Sequence, residues 1–526
     1  MRLGAGGKGG MIDRRAFVGG ASLAAMATLG SRVSAQEATP AAADATPVPG
    51  STLKAGVQGD PTELDPHLSN LAATELVADL VYEGLVRIGP DLVPQPSLAT
   101  AWTISDDGLT YTFDLRDGVT FHNGRALVAG DVVYSIERVM SPDTASPWSP
   151  YTARIAGIVA PDDRTVVISL NAPDASFLAA LGRRGLVVVP REAVEAEGGL
   201  SQTMVGTGPF TFTSYVPNTS VVLGRNAGYW DAPKPYLDGV ELQIVPDDTA
   251  RTTALVQGAV DLIEAVPHKD IELLEGMDGI RLVGGQTTNL RWIVFNTRRE
   301  PFDRPEVRRA IAKGIDRQPI IDAAVFGYGE PLLGMYPETF WFGYQGEIPA
   351  ADPEGAAADL ASLGLPDGFA PGLLTWSQYD FLSSSSIVVQ EQLRQMGIDA
   401  EIDPQENATL IERFYTFDFD MVVMGAAGYV DPNDFIQQNF YSGEANNTSG
   451  YANADMDALI DRGLSTQDRD ERAGIYQEIQ QLIIDDAPWI NLYTSSSFEG
   501  ASARVQGFTH YLSGGLFGLA ETWLES

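Results

Sequence analysis

The first half of the chain carries strand-like patterns of apolar and polar residues. Residues 109–116 place a large apolar side chain at every second position, which predicts a strand with one buried and one wet face. Asp117-Gly118 follows, and the alternation resumes at Val119 and Phe121, so a hairpin is predicted. Residues 165–170 are rich in β-branched residues and predict a further strand.

Turn and cap signals place the next elements. Asp131 precedes apolar residues at helical spacing and is predicted to be the N-cap of a helix ending at Ser141-Pro142. Pro217-Asn218 separates two apolar arms and predicts a second hairpin. Asp247-Asp248 is predicted to cap a helix over 249–257.

From about residue 281 the pattern changes to alternating strands and helices, which is typical of an α/β region. Strands are predicted at 290–295, 372–376, 398–402 and 417–424, and helices at 305–315, 384–396 and 469–485. The order strand, helix, strand over 372–402 predicts a βαβ unit, with Gly397 at the helix C-terminus.

The N-terminal residues have the features of an export signal. Arg14-Arg15 precedes a short apolar stretch rich in Gly and Ala, and Val33-Ser34-Ala35 supplies small residues for a cleavage site. Residues 1–35 are therefore predicted to be a twin-arginine-type signal peptide, with Met1 and Met11 both open as start. An amphipathic helix of the folded domain is the alternative, which the Gly content disfavours. Residues 36–52 form an Ala/Thr/Pro linker.

Composition narrows the class of protein. A chain of 526 residues with 44% hydrophobic residues predicts more than one lobe with ordered cores. There is no cysteine, which excludes disulfides, thiolate metal sites and a cysteine nucleophile. The formal charge of −36 argues against nucleic acid as a partner, since phosphate contacts need clustered Lys and Arg.

Four blocks carry a family resemblance. The longest runs from Ala99 to Ser135 and contains Ala-Trp-Thr-Ile-Ser-Asp-Asp-Gly and Phe-His-Asn-Gly. The others, in chain order, are Gly-Thr-Gly-Pro-Phe at 206–210, the region 295–311 with Phe-Asn-Thr and Pro-Phe-Asp, and Asp431-Pro432 with the late Ala-Pro-Trp at 487–489. Together they resemble the peptide/nickel family of extracytoplasmic solute-binding proteins, family 5 of the ABC-importer binding proteins.

The resemblance implies an α/β, periplasmic-binding-protein-like fold of two lobes. The first lobe is expected to comprise 53–280 plus 498–526, with an extra β-rich subdomain at about 84–190, and the second lobe 281–497. The resemblance also implies an exported monomer without a cofactor. It would deliver a small ligand, by family a peptide or peptide-like solute, to importer permeases and their ATPase.

Few residues indicate catalysis. The four histidines, His67, His122, His268 and His510, are far apart and show no helical metal-binding pair, so no metal site is predicted. Asp247-Asp248 could be a pair of glycosidase carboxylates, but a helix cap accounts for it more simply. No nucleophile-elbow or phosphate-loop motif is present.

Aromatic residues in the segments that face the cleft of this family are candidates for ligand contact, since ligand sites are largely apolar with a few polar groups. Core packing is the alternative for each. The aromatic candidates are Trp292, Trp341, Tyr344, Trp376, Tyr379, Tyr429 and Tyr493. The predicted ligand-binding residues are Asn70, Trp292, Trp341, Trp376, Met424, Ala426, Gly428, Tyr429, Asp431 and Tyr493.

One departure from the family pattern bears on the ligand. Peptide-binding members place a Trp and, three residues later, an Asp for the ligand's α-ammonium just before the Asp-Pro element. Those positions are Gly425 and Gly428 here. A buried ammonium without a carboxylate is unfavourable. Asp431 or Asp434 would have to replace it, or the ligand is a blocked peptide, a sugar or another uncharged solute.

The sequence therefore leaves three functions open. The leading hypothesis is a binding protein for an importer, not an enzyme. A secreted hydrolase acting on oligosaccharides or peptides, and a receptor subunit that reports its ligand to a sensor, are the alternatives.

Overall fold

The computed structural model describes residues 46–366 and 368–525. The predicted signal peptide and most of the predicted linker lie outside these residues. Within this described part, no helix is long and apolar enough to cross a membrane. The helices are Ala72–Val81, Ala129–Met140, Phe177–Leu181, Arg191–Val194, Asp248–Val256, Ile271–Glu275, Pro305–Gly314, Arg317–Val325, Pro353–Ser362, Asp380–Gln395, Asn407–Tyr415, Asn433–Phe440, Ala454–Ser465 and Arg469–Asp486, with short 3₁₀ turns at Ser149–Thr152, Gly199–Ser201, His268–Asp270 and Phe517–Glu521.

Two mixed sheets organise the chain. The first has the spatial order Ile280–Gly285, Ser497–Ser502, Leu262–Ile263, Thr52–Val57, Gly239–Ile244, Ser220–Arg225 and Phe210–Val216. The second has the order Gly329–Pro331, Trp489–Ser495, Leu290–Phe295, Met421–Ala426, Gly372–Trp376 and Glu401–Gln405. Each has its own buried apolar cluster, so the molecule is an α/β protein of two lobes.

A β-rich subdomain is inserted in the first half of the chain. Its antiparallel sheet has the order Ala99–Ile104, Thr110–Leu115, Thr165–Leu170 and Ile155–Val159. Helix Ala129–Met140 packs on it, and Tyr111 and Phe113 are buried at alternate positions as the pattern predicts. Two-stranded ribbons pair Val86–Ile88 with Pro94–Pro96 and Val505–Gln506 with Trp523–Leu524.

The sequence patterns predicted elements correctly where the interacting residues are close in the chain. Asp247 caps helix Asp248–Val256 by accepting from the Ala250 N–H at 2.7 Å. The hairpin through Pro217-Asn218 is confirmed. The βαβ unit is confirmed as well, since Gly372–Trp376 and Glu401–Gln405 pair in parallel around helix Asp380–Gln395, but its second strand begins three residues later than the predicted 398–402.

Two local predictions were wrong. Strand Thr110–Leu115 does not pair with residues 119–121; its partners are Ala99–Ile104 and Thr165–Leu170. Asp131 is not the N-cap but lies three residues beyond Val128, whose backbone N–H it binds at 3.0 Å. The first error concerns a strand partner that the local sequence does not encode, and the second places the start of the helix three residues too late.

The chain passes between the sheets at residues 286–289 and at Ser496, and these passages lie side by side. The Thr287 hydroxyl donates to the Ser495 carbonyl at 2.8 Å, and the Thr494 hydroxyl donates to the Thr287 carbonyl at 3.0 Å. Gly284 has φ +150°, and a Cβ there would overlap the Ser497 carbonyl oxygen. The crossing therefore requires glycine at this position.

Replacing Gly284 by Ala should therefore lower the free energy of unfolding by about 1–3 kcal/mol, through strained backbone plus the overlap with Ser497. Gly285→Ala is the matched control, since Gly285 has φ +151° but a Cβ there meets nothing within 4 Å. Chemical denaturation of both variants should show the larger loss for Gly284→Ala. Equal losses of unfolding free energy in the two variants would mean that the close approach of residue 284 to the Ser497 carbonyl does not affect stability.

Candidate ligand-binding site

A cavity of about 1110 Å³ lies between the two lobes. The first lobe and its subdomain contribute helix Ala72–Val81, residues 147–154 and 174–184, and the C-terminal stretch 510–517. The second lobe contributes 287–289, 427–438 and 444–446. A cavity of this size is large enough for a ligand of several residues.

A buried ion pair joins opposite walls of the cavity. Arg183 follows helix Phe177–Leu181 of the subdomain, and its guanidinium contacts the carboxylate of Asp434 on the second lobe; the two side chains are 10% and 5% exposed. Asp434 also accepts from the backbone N–H groups of Val430 and Asp431 at 3.2 and 3.1 Å. Burial raises the pKa of Asp434 and Arg183 opposes that shift. The pair is a direct contact between the subdomain and the second lobe, and it would break if the lobes separated.

Asp431 is held by a second arginine. Its two oxygens accept from Arg472 at 2.9 Å each, and Oδ1 also accepts from the Asn433 N–H at 2.9 Å. Arg472 belongs to helix Arg469–Asp486, so this bidentate pair anchors the helix to the cavity wall. The carboxylates of Asp431 and Asp434 are therefore each paired with an arginine.

The remaining cationic groups of the cavity wall also have acidic neighbours. Arg184 contacts Glu75 at 3.1 Å and Asp79 at 2.9 Å. His510 Nδ1 lies 2.8 Å from Glu499. Burial would lower the pKa of His510, but the Glu499 carboxylate outweighs burial, so the pKa lies above its usual 6.5.

Asn433 offers the cavity an unused acceptor. It begins helix Asn433–Phe440, is 4% exposed, and donates from Nδ2 to Gln437 at 3.0 Å. Its Oδ1 has no hydrogen-bond partner among the described residues. Leaving a buried acceptor unpaired is costly, so the hydrogen bonding of this oxygen is not satisfied within the described residues.

Of the predicted ligand-binding residues, Asn70 and Gly428 line the cavity. The aromatic candidates are mostly packed in the second lobe. Trp292 is 1% exposed and stacks on Trp489 with ring centroids 4.9 Å apart, and Tyr493 is fully buried with its hydroxyl 3.2 Å from the Ser385 hydroxyl.

The other candidates lie around the same core. Trp376 donates from Nε1 to Asn407 at 3.0 Å, and Tyr344 from its hydroxyl to Gln481 at 2.6 Å. Met424 is buried, Trp341, Ala426 and Tyr429 are half-buried against the core, and Tyr379 is 44% exposed. Their contact with a ligand stays a prediction, as does that of Asp431.

The structure brings polar residues to the cavity that the sequence did not single out. These are chiefly Tyr151, Arg183, Asn433 and Glu499. No periodic pattern marks them, because they come from separate segments that meet only in the folded chain. The double arginine Arg183-Arg184 beside an apolar helix was the one available signal.

The two glycines of the unusual segment differ. A Cβ at Gly425 would lie 2.5 Å from the Leu290 carbonyl oxygen and would overlap the Arg291 side chain. A Cβ at Gly428 meets nothing within 4 Å, but φ there is +81°. Space therefore limits residue 425, whereas backbone conformation limits residue 428.

Known proteins provide the comparison. The model of the bacterial extracellular solute-binding proteins, family 5 Middle, matches residues 93–448. The glutathione-binding protein of Salmonella typhi is 30% identical over 463 residues, covering 85% of this chain and 90% of its own length.

Two solved structures extend the likeness. The binding protein AgaA of A. tumefaciens R10, in complex with agropinic acid, is 30% identical with a TM-score of 0.74, covering 90% of this chain and 99% of its own. The periplasmic binding protein DppA of Helicobacter pylori, in complex with peptide STSA, is 27% identical with a TM-score of 0.76, covering 91% and 99%.

Replacing Asp431 by Ala should lower the free energy of unfolding by about 3–5 kcal/mol, because Arg472 would stay buried without its carboxylate. The double variant Asp431→Leu with Arg472→Met should recover most of that loss, since it removes both charges. Urea denaturation of the single and double variants measures the coupling. If the losses of unfolding free energy from the two substitutions were additive, the Asp431–Arg472 ion pair would not stabilise the cavity wall.

The pair of His510 and Glu499 should make stability depend on pH. Because the folded pKa of His510 is raised, its stabilisation is complete below about pH 6.5 and is lost as the pH rises through the folded pKa. His510→Gln should therefore lower the melting temperature at pH 6 and change it less at pH 9. His122 is the control, since burial lowers its pKa and its effect has the opposite sign. A His510 effect independent of pH would contradict the charged pair.

Proposed function

This chain belongs to the bacterial extracellular solute-binding proteins of family 5, and from that premise we propose that its interlobe cavity captures a peptide or peptide-derived solute for an ABC-type importer. The observation that carries the proposal is the cavity of about 1110 Å³ with walls from both lobes. The chain's relatives are substrate-binding proteins, which favours binding over a hydrolase or a sensor subunit.

The wall chemistry favours a polar solute without a simple free α-ammonium. The relatives named above bind glutathione, agropinic acid and a peptide, so the family context allows peptides and other polar acids. Asp431 and Asp434, the acids nearest to the unusual glycines, are already paired with Arg472 and Arg183. An ammonium placed there would compete with an arginine for each carboxylate.

Closure of the lobes is the proposed means of capture. A ligand shifts an open–closed equilibrium only by its differential affinity for the two states. Contacts from both walls provide that difference, because those to the far wall form only when the lobes approach. The closed form also presents one surface built from both lobes, which permease subunits would recognise.

Export completes the proposal. Residues 1–35 would direct the chain through the twin-arginine route, the Ala/Thr/Pro linker would follow, and the mature monomer would act outside the cytoplasm. The lobes, expected at 53–280 plus 498–526 and at 281–497, would be two bodies that move about the crossings at 286–289 and Ser496.

Mass spectrometry of small molecules released by heating the purified protein tests capture directly. When the released solute is added back, it should raise the melting temperature. At a hundredfold excess over Kd it should increase the free energy of unfolding by about 2.7 kcal/mol. Glutathione is the first probe if nothing is released. The proposed function would be contradicted if the protein released no solute and if no peptide-class probe raised its melting temperature.

Replacing Asn433 by Leu should weaken binding of that solute about tenfold, since the free Oδ1 can no longer accept from it. Asn439→Leu is the matched control, because Asn439 lies on the same helix and donates to the Phe435 carbonyl at 2.8 Å, away from the cavity wall. Isothermal titration of both variants separates the two positions. An equal loss in both would assign the effect to the helix instead of the ligand contact.

A further inference from the structure

The β-rich subdomain of the first lobe contacts the second lobe through residues other than the two chain crossings. The backbone N–H of Ala175 donates to the Leu464 carbonyl at 2.8 Å, near the end of helix Ala454–Ser465. Three residues further along the chain, Gln467 donates from Nε2 to the Tyr111 hydroxyl at 3.4 Å. The subdomain is therefore joined to the second lobe by hydrogen bonds that only the folded chain brings together.

Apolar side chains of the subdomain take part in the same contact. Ile88, Leu92 and Ala179 are buried and belong to the apolar cluster of the second lobe. Separation of the lobes would return these side chains to water, which is unfavourable. The contact therefore buries apolar surface only while the lobes are together.

The charged part of the contact is the pair of Arg183 and Asp434. Both side chains are buried, and the Arg183 guanidinium also lies 4.0 Å from the centre of the Tyr151 ring in the subdomain. Asp434 accepts from the backbone N–H groups of Val430 and Asp431 in its own lobe, so these two bonds do not depend on closure. Arg183 is thus the partner that comes from the other lobe.

Burial links the two charges in the closed form alone. With the lobes apart, water would solvate both groups. With the lobes together, either charge without the other would be buried and uncompensated, which is strongly unfavourable. Loss of one charge therefore disfavours the closed form selectively, whereas loss of both charges removes that penalty.

We propose that this contact is a latch that holds the lobes closed through the chain's own groups before a solute binds, and that Arg183 is the residue on which the latch depends. A protein that is already closed in most molecules loses little of its ligand affinity to the work of closing. Solute would then enter when the latch opens. The inference rests on the proposed function only in requiring lobes that separate.

Two spin labels would measure the separation of the lobes. The chain contains no cysteine, so Val159→Cys in the subdomain and Ile387→Cys in the second lobe provide two exposed labelling sites. The labelled protein is freed of any bound solute by unfolding and refolding. Electron–electron double resonance should then give one main distance, which matches the separation of these positions in the structure. A predominantly longer distance would overturn the proposal, whether or not any further variant folds.

Arg183→Met should lower the ratio of closed to open molecules about a hundredfold or more, because Asp434 would be buried in the closed form without its cation. Combining Arg183→Met with Asp434→Asn should restore the shorter distance in large part. The asparagine keeps an oxygen for the two backbone N–H groups, and no charge stays buried. A distance unchanged by Arg183→Met, or equal opening in the single and double variants, would overturn the latch.

Arg138→Met is the matched control. Arg138 pairs with Asp65 at 2.6 Å, the two side chains are 13% and 3% exposed, and both residues belong to the first lobe. Its loss breaks a buried pair of the same kind without removing a contact between the lobes, so the label distance should stay that of the wild type. Equal lengthening in this variant would assign the effect to general destabilisation and would overturn the latch.

The outcome for the proposed function is separate. If the wild type binds its released solute but its lobes are apart without it, the latch fails while solute capture stands. If Arg183→Met opens the lobes and the wild type captures no solute, the latch stands and the proposed function fails. Where both hold, Arg183→Met should bind the solute more weakly, in proportion to the closed fraction that it has lost.

Discussion

Two carboxylates three residues apart, Asp431 and Asp434, hold the wall on which the binding cavity is built. Removing a carboxylate from water is expensive unless charge and hydrogen bonds replace the solvent. Each acid meets that requirement with an arginine from a different part of the chain, Arg472 from a late helix and Arg183 from the inserted subdomain. The turn, the helix and the subdomain therefore cannot shift independently without exposing a buried charge.

This constraint decides what is left for a ligand. The arginines of the cavity wall and His510 lie against acids, so the wall is largely neutralised by its own residues. Among the described residues of the wall, Asn433 keeps a neutral acceptor, Oδ1, without a hydrogen-bond partner. Selectivity in such a site comes from satisfying a few specific polar groups and not from net charge, even in a protein as acidic as this one.

The sequence predicted local elements well and long-range partners poorly. Thr165–Leu170, Leu290–Phe295 and Gly372–Trp376 lie where their patterns placed them, because side-chain alternation is a local property. The strand Thr110–Leu115 was found but given the wrong partner, since a strand's neighbour is chosen by the whole sheet. The family resemblance, and not periodicity, supplied the two-lobe arrangement.

The site was harder to predict for a related reason. A large aromatic residue in a cleft-facing segment gives the same signal whether it packs in a core or touches a ligand, and Trp292 and Tyr493 are packed in the core. Arg183 and His510 reach the cavity from positions 327 residues apart, and no local pattern joins them.

Gly425 shows how a sequence anomaly gains meaning from its neighbour in space. Alone, the missing side chain indicated only a lost family contact. In the folded chain it opens the volume that the Arg291 side chain occupies, because a Cβ at residue 425 and the guanidinium stem cannot coexist. The glycine and the arginine are thus one structural change on two paired strands.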